Sequence, residues 1–343
     1  MLLVLLVVAA PLFGQSRKTL DGSPSLPGKG TVMLEPVVEQ TNSRSLRRTP
    51  FDFDGDGKAD IGVARPSEVN WYQLTSGSLN FEAVQFGMKG DIITPADFDG
   101  DGAADQSIFR PATGEWWYLG STDNRARFMQ WGTPGDMPLP SDLNGDGRAD
   151  FVVVNRTKYT WRAISANGEV ILETRFGKRD DVPLIGDFDG DGSGDLALFR
   201  PSTGEWIYRS SAARGSIVTV HWGTWLDVPV PADYDGDGKT DAAVYRPSDG
   251  KWYILNSLKG DSRILRFGLE EDNPVPADYD GDGRADIGVY RPATGTWFLL
   301  NSTEGFRVFL FGASSDIPAP AAYIIKDLGF VGDIPSPRTN RQR

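Results

Sequence analysis

The chain reads as an all-β propeller, and three observations carry that reading. A cluster of carboxylates on the pattern D-x-[DN]-G-D-G-x-x-D recurs six times, its first Asp falling at Asp52, Asp97, Asp142, Asp187, Asp233 and Asp278, so the period is 45 or 46 residues. A period of that length belongs to solenoid or propeller arrays. Each period also holds segments for four short strands separated by turn residues, the composition of one antiparallel propeller blade. Finally, the strand after each cluster is apolar or small on both faces, as in Ile61-Gly62-Val63, Leu196-Ala197-Leu198 and Ile287-Gly288-Val289. A sheet with one wet face alternates apolar with polar residues, whereas a blade pressed between two neighbours is dry on both sides.

Taken in order, the chain opens with Met1–Phe13, almost wholly apolar and followed by Gly14-Gln15-Ser16. This reads as a signal peptide over residues 1–14, which implies secretion, with a periplasmic or cell-surface location as the alternative. The run is too short to span a bilayer. Residues 15–30, rich in Gly, Pro and Ser, read as a flexible leader. Thr31–Gln40 is a strand candidate where a preceding blade would end.

The unit from Asp278 to Gly312 serves as the type specimen of the repeat. After its acidic loop, Ile287–Arg291 is a strand closed by Pro292. Thr296–Asn301 and Phe306–Phe311 follow as strands, and the segment leading into each loop, such as Pro274-Val275-Pro276-Ala277, supplies the remaining one. Every unit carries a Trp (Trp71, Trp116, Trp161, Trp206, Trp252, Trp297) and ends on an aromatic followed by Gly, for example Phe267-Gly268. These aromatics read as packing between blades. The Arg-Pro pairs at Arg65, Arg110, Arg200, Arg246 and Arg291 read as bridges between blades or caps on strand ends.

Beyond Gly312 the repeat register continues. Asp316–Tyr323 matches Asp227–Tyr234 with Ala322 in place of the first loop Asp, and Asp327–Val331 resembles Asp286–Tyr290. This predicts seven blades of four antiparallel strands, the last closed by N- and C-terminal strands, with six blades as the alternative. The propeller domain then covers residues 31–335, and residues 336–343 form a disordered tail.

Asp and Glu total 47 against 35 Lys and Arg, a formal charge of −12, and 23 of the acids lie in the six clusters. Six divalent ions would bring the net charge to about zero. The acidity is therefore a metal-site signature and argues against nucleic acid as a partner. The chain has no Cys, so neither a disulfide framework nor thiol chemistry is available and a metal must staple the fold.

Hard oxygen donors at this density, with Gly where the backbone turns tightly, suit Ca2+. The D-x-D-x-D-G start also opens an EF-hand loop, but that loop needs a bidentate Glu at position twelve and flanking helices. Position twelve here is Val63, Ile108, Val153, Leu198, Val244 or Val289, and the flanks are strands. The ninth-position Asp must complete the shell. The side-chain ligands are then Asp52, Asp54, Asp56 and Asp60; Asp97, Asp99, Asp101 and Asp105; Asp142, Asn144, Asp146 and Asp150; Asp187, Asp189, Asp191 and Asp195; Asp233, Asp235, Asp237 and Asp241; and Asp278, Asp280, Asp282 and Asp286. A backbone carbonyl near position seven adds to each. About six ions are expected, the third site being weakest because Asn144 replaces an acid.

On this motif, six times in register, the chain resembles the FG-GAP or VCBS repeats of integrin-α-like calcium propellers. The resemblance covers about residues 47–331 and implies that each ion sits in the loop joining the first two strands of a blade, on one face of the disc. It implies no single activity, since that fold hosts adhesion, glycan binding and scaffolding.

Every recurring feature is explained by building the disc, so the reading is a secreted, monomeric, non-enzymatic binding or adhesion module for a protein or glycan ligand. A lectin-like glycan binder using Trp117, Trp131, Trp222 and Trp225 is the alternative. An enzyme ranks below both: His221 is the single histidine and has no Ser or Cys motif beside it, so a triad has little support, and the carboxylate pair a carbohydrate-active enzyme would need has the same signature as calcium ligands or surface acids. Selectivity requires departures from the repeat. The clearest are Asn155-Arg156-Thr157-Lys158-Tyr159, where the other units have Arg-Pro, and Ser210–Ser216, one residue longer than usual. A partner is therefore expected at Lys158, Tyr159, Arg214 and Trp225.

Overall fold

The structure, a computed structural model, describes residues 49–321. Among them the chain forms six four-stranded antiparallel sheets. Blade 2 consists of Ile92–Ile93, Gln106–Arg110, Glu115–Leu119 and Ala126–Gln130; blade 3 of Met137–Pro138, Phe151–Asn155, Thr160–Ile164 and Val170–Arg175. Blade 4 is Val182–Gly186, Asp195–Arg200, Glu205–Arg209 and Ile217–His221; blade 5 is Val228–Pro229, Ala242–Arg246, Lys251–Leu255 and Ser262–Arg266. Blade 6 is Asn273–Pro274, Ile287–Arg291, Thr296–Asn301 and Gly305–Leu310.

Blade 1 takes Ile61–Arg65, Asn70–Leu74 and Phe81–Gln85 from the start of the described chain and Ile317–Pro318 from its end. Val63 pairs with Pro318 and Ala64 with Ile317. The ring therefore closes at six blades, not at the seven the sequence favoured. The segment after Asp316 that continues the repeat register completes blade 1 instead of starting a seventh, and it removes the edge that the strand Ile61–Arg65 would otherwise expose. The signal peptide, the leader, the strand candidates Thr31–Gln40 and Asp327–Val331 and the tail lie outside the described residues.

Both faces of each second strand are covered. In blade 6, Ile287 and Val289 join a buried cluster with Val230, Tyr245 and Trp252 of blade 5, while Tyr290 joins one with Ile61 and Val63 of blade 1. Six such clusters occur, one between each pair of neighbours, and the cluster between blades 6 and 1 closes the circle. Full burial of each large apolar side chain stabilises by roughly 1.5–3 kcal/mol. The fourth strands form the exposed rim.

The recurring Trp side chains are all buried. Each indole Nε1 donates to the carbonyl of the aromatic that ends its own blade, as Trp116 does to Trp131 at 2.7 Å and Trp252 to Phe267 at 2.8 Å. The bond ties the third strand to the end of the fourth. The turn glycine between the second and third strands permits a close approach to the glycine after that aromatic: a Cβ on Gly250 (φ 64°) would run into the Gly268 carbonyl.

The Arg of each Arg-Pro pair caps its own blade and does not bridge two. Arg246 forks onto Asp227 (Nε to Oδ1 2.7 Å, Nη2 to Oδ2 2.8 Å), the residue that precedes the blade's first strand. Arg110 with Asp91, Arg200 with Asp181 and Arg291 with Asp272 repeat this. In blade 1 the partner of Arg65 is Asp316, at 2.7 and 2.9 Å, so this clasp joins the two ends of the described chain. The Asp316 side chain is fully buried and Arg65 is 24% exposed. Removing the cation would strand a buried charge. Arg65→Ala is expected to lower unfolding free energy by about 3–5 kcal/mol, read by equilibrium urea unfolding; a loss below about 1 kcal/mol would mean the clasp does not hold the closure.

Candidate metal centres

Each acidic loop precedes the second strand of its blade. In the sixth, Asp278 accepts the Gly281 and Gly283 amides at 2.6 and 2.8 Å, one on each carboxylate oxygen, which folds the loop back on its first residue. The buried Asp286 accepts the Tyr279 amide on Oδ2 at 2.8 Å and the Ser302 amide on Oδ1 at 2.6 Å. Ser302 lies in the turn between the third and fourth strands, and its hydroxyl donates to Asp282 at 2.5 Å, while Thr303 donates its amide to Asp280 at 2.8 Å. That turn is thus a lid on the acids. Ser76, Ser121, Ser211 and Ser257 do the same in blades 1, 2, 4 and 5.

The sequence reading had passed over these serines and the clasp aspartates. Both recur with the repeat: the serine follows the ninth-position Asp by 16 residues, and the clasp Asp precedes the next loop's first Asp by six.

Five loops bring three carboxylates together with ligand oxygens all within 4.8 Å of one another. The groups are Asp52, Asp54 and Asp60; Asp97, Asp99 and Asp101; Asp187, Asp189 and Asp195; Asp233, Asp235 and Asp241; and Asp278, Asp280 and Asp282. Position five or nine supplies the third member. Three anionic groups at that separation repel strongly without a cation between them. Asp99 also keeps a buried oxygen, Oδ1, with no hydrogen-bond partner. The donor set is all oxygen, and a hard divalent cation fits it.

The third loop differs in two respects. Asn144 turns its amide onto Asp150 Oδ1 at 3.3 Å, the oxygen that accepts the serine amide elsewhere. The residue in the serine's place is Ala166. A neutral donor within the chain thus stands where the other loops leave acid facing acid. Calorimetric titration with calcium is expected to give five comparable sites and one weaker one, and the double substitution N144D/A166S to bring the sixth into line. An unchanged isotherm would place the weakness elsewhere.

The loops are also bonded to one another. The eighth-position amide of each donates to the first-position carbonyl of the loop before it: Ala104 to Asp52, Ala149 to Asp97, Gly194 to Asp142, Thr240 to Asp187, Ala285 to Asp233, and Ala59 to Asp278, all at 2.6–2.7 Å. The six bonds form a closed circuit on one face of the disc. Position seven of the next loop lies over each fourth-position glycine, so that a Cβ on Gly281 would touch the Lys58 side chain at 3.0 Å.

Burial is the main force raising the ninth-position carboxyls, with neighbouring acids adding to it and backbone amides partly offsetting it. Asp60, Asp105, Asp150 and Asp286 are pushed up to about 7 and Asp241 to about 6. A carboxyl raised above its unfolded value of about 4 stabilises the metal-free fold below that value. It loses the contribution as pH rises through the range of about 6 to about 7. Metal-free protein is therefore expected to melt at a lower temperature at pH 8 than at pH 5, and millimolar calcium to erase most of the difference. Melting that is flat with pH in the presence of chelator would contradict this.

The four residues expected to meet a partner do not converge. Strand direction places Arg214, in the lid turn of blade 4, at the acidic-loop end, whereas Lys158 and Trp225 lie on turns at the opposite end. Tyr159 is buried, with its hydroxyl donating to the Asp181 carbonyl at 3.0 Å, and leaves no ring for a partner. It occupies the place of the turn glycine at φ 50°. The additional tryptophans are largely engaged in packing. Trp117 packs at a tilt against Phe128, Arg162 lies over Trp131, and the Trp222 indole donates to the Tyr253 carbonyl. Trp225 is half-buried, its Nε1 buried without a partner.

Residues 52–106, which span the first two acidic loops, match the model of the FG-GAP-like repeat. No curated protein matches the chain. Among solved structures, a streptogramin B lyase superposes with a TM-score of 0.50 at 9% identity, covering 78% of this chain and 87% of its own. A lectin of Agrocybe aegerita that recognises non-reducing terminal N-acetylglucosamine gives 0.49 at 16% identity, covering 75% and 77%. A virginiamycin B lyase from Staphylococcus aureus gives 0.46 at 9%, covering 77% and 88%. At these identities the likeness is one of fold.

Proposed function

We propose that this six-bladed propeller with FG-GAP-like repeats is a secreted, calcium-stabilised binding module without catalytic activity of its own. The observation that carries the reading is the closed circuit of acidic loops, in which five carboxylate clusters, their serine lids and six interloop bonds form one continuous layer. The recurring polar side chains have structural partners in that layer or in the Arg–Asp clasps at the other end. Some of what differs from blade to blade, such as Lys158 and Lys178, lies on exposed turns, where a partner can be selected.

Calcium is the ion of choice because the donors are all oxygen and the sites number five or six in a small disc, a design that functions where the free ion is abundant. The apolar start of the chain accords with export. No helix among the described residues is long and apolar enough to cross a membrane. A lyase shares the fold at 9% identity, so the fold by itself does not choose between catalysis and binding. Against a histidine-based triad, His221 lies 71% exposed on the outer strand of blade 4, with Glu205 as its charged neighbour at 3.9 Å.

With dissociation constants of ~0.1 mM, millimolar calcium stabilises by roughly 1.4 kcal/mol per site. Five or six independent sites would then contribute roughly 7–8 kcal/mol, comparable with the net stability of a whole domain. Chelation is expected to lower the melting temperature by tens of degrees, on the order of 2–4 °C per kcal/mol for a domain of this size, as read by scanning calorimetry. A melting temperature indifferent to chelator would refute the structural-calcium reading.

A further inference from the structure

The six blades provide an internal control for reading their surface. Five positions at the end of the blade opposite the acidic loops are held in blade 3 by Arg156, Lys158, Arg175, Lys178 and Arg179, all cations. At the same five positions blade 1 sets Lys89 against Glu68, and blade 5 sets Arg266 against Asp249 and Glu270. Blades 2, 4 and 6 carry no formal charge there, His221 being neutral. One blade is therefore +5 where the others are zero or −1, on a chain whose formal charge is −12. Composition concealed this basic surface; the strand register assembles it.

The two turns are held in place. Tyr159 anchors one to the other through the Asp181 carbonyl, Lys158 donates its amide to Asn155 Oδ1 at 3.0 Å, and Lys178 donates its amide to Asp181 Oδ2 at 3.0 Å. The nearby buried acids are already served by other cations: Asp181 by Arg200, and Asp136 by Arg162, which reaches it from the place of an aromatic in most other blades. Asp180 faces the group from the same turn, 3.8 Å from Arg179. Lys158, Arg175 and Lys178 are exposed and make no salt bridge among the described residues. None of the exposed large apolar side chains lies on these turns.

We propose that this end of blade 3 is a docking site for an anionic polysaccharide bearing sulfate or carboxylate groups, recognised through Lys158, Arg175 and Lys178. The inference rests on the binding-module reading and names its partner class. The backbone of both turns is held before binding, so the ordering cost falls on the cationic side chains alone, and the lack of apolar anchors is at odds with an acidic peptide, whose affinity normally comes from buried side chains. A nucleic-acid duplex, stiff and charged every ~1.7 Å, would extend beyond one blade over a molecule that repels it. A flexible glycan with spaced anionic groups can engage three to five cations locally.

The test uses the full calcium-loaded chain with heparin and dextran sulfate as probes, uncharged dextran as control and a DNA duplex as competitor class. Wild type is expected to bind both sulfated polymers and not dextran, with affinity falling about tenfold or more when salt is raised from 50 to 300 mM, as screening of a charge array requires. The variant K158E/R175E/K178E is expected to lose at least tenfold while its calcium-dependent melting curve is unchanged. Should it misfold, K158Q/K178Q is the fallback, with a loss of about threefold or more expected. Retained affinity in these variants, an equal loss in K251E/R263E/R266E on blade 5, or duplex DNA binding as tightly as heparin would each overturn the proposal. Failure of calcium to stabilise the wild type would instead count against the binding-module reading itself.

Discussion

A four-stranded blade with two apolar faces has no stable existence alone, and the rest of this structure follows from that constraint. Strands such as Ile287–Arg291 direct alternate side chains into two different clusters, one with each neighbour. An open stack would leave a dry face exposed at both ends. Closure into a ring is the arrangement in which every face is covered, and it obliges the last strand to come back to the first blade. The pairing of Ile317 and Pro318 with Ala64 and Val63 meets that requirement.

Closure by packing alone would leave the blade ends loose, and polar chemistry holds them from both sides. At one end the acidic loops are bonded in a circuit of backbone hydrogen bonds that passes through all six blades. At the other, a buried Asp ahead of each first strand is met by a forked Arg or, in blade 3, by Asn155 and Arg162. The two systems differ in what they need. The clasps carry their own counter-charge, whereas the loops concentrate acid in groups whose geometry could hold a cation.

Blade 3 shows how a repeat can change chemistry without losing shape. Asn155 takes the place of the clasp Arg, and Arg162 supplies the missing charge from the neighbouring strand while lying over Trp131 of blade 2. Tyr159 fills the place of a turn glycine and hydrogen-bonds the carbonyl that helps fix the following turn. In the acidic loop, Asn144 contributes a donor where an acid would contribute charge. Each exchange provides a local hydrogen-bond partner, and the same blade carries an excess of cations that the other blades do not have.

The blade architecture, the strand order within a blade and the acidic loops were all legible in the chain, because an alternation of buried residues and a tight carboxylate loop are local patterns that survive without tertiary context. The Trp and aromatic-Gly pairs were legible as structural, though not as partners in one hydrogen bond. Blade number was not legible: Asp316–Ala319 reads equally well as the start of a new blade or as the missing strand of the first, and only the position of the Ile61–Arg65 edge in space decides between them. The interloop circuit, the serine lids and the separation of Arg214 from Lys158 and Trp225 likewise belong to the tertiary structure, because they join residues from different turns or blades. Sequence determined what each blade is made of, since that depends on neighbours along the chain; the fold decided which blades meet and what their ends present, since that depends on closing a ring.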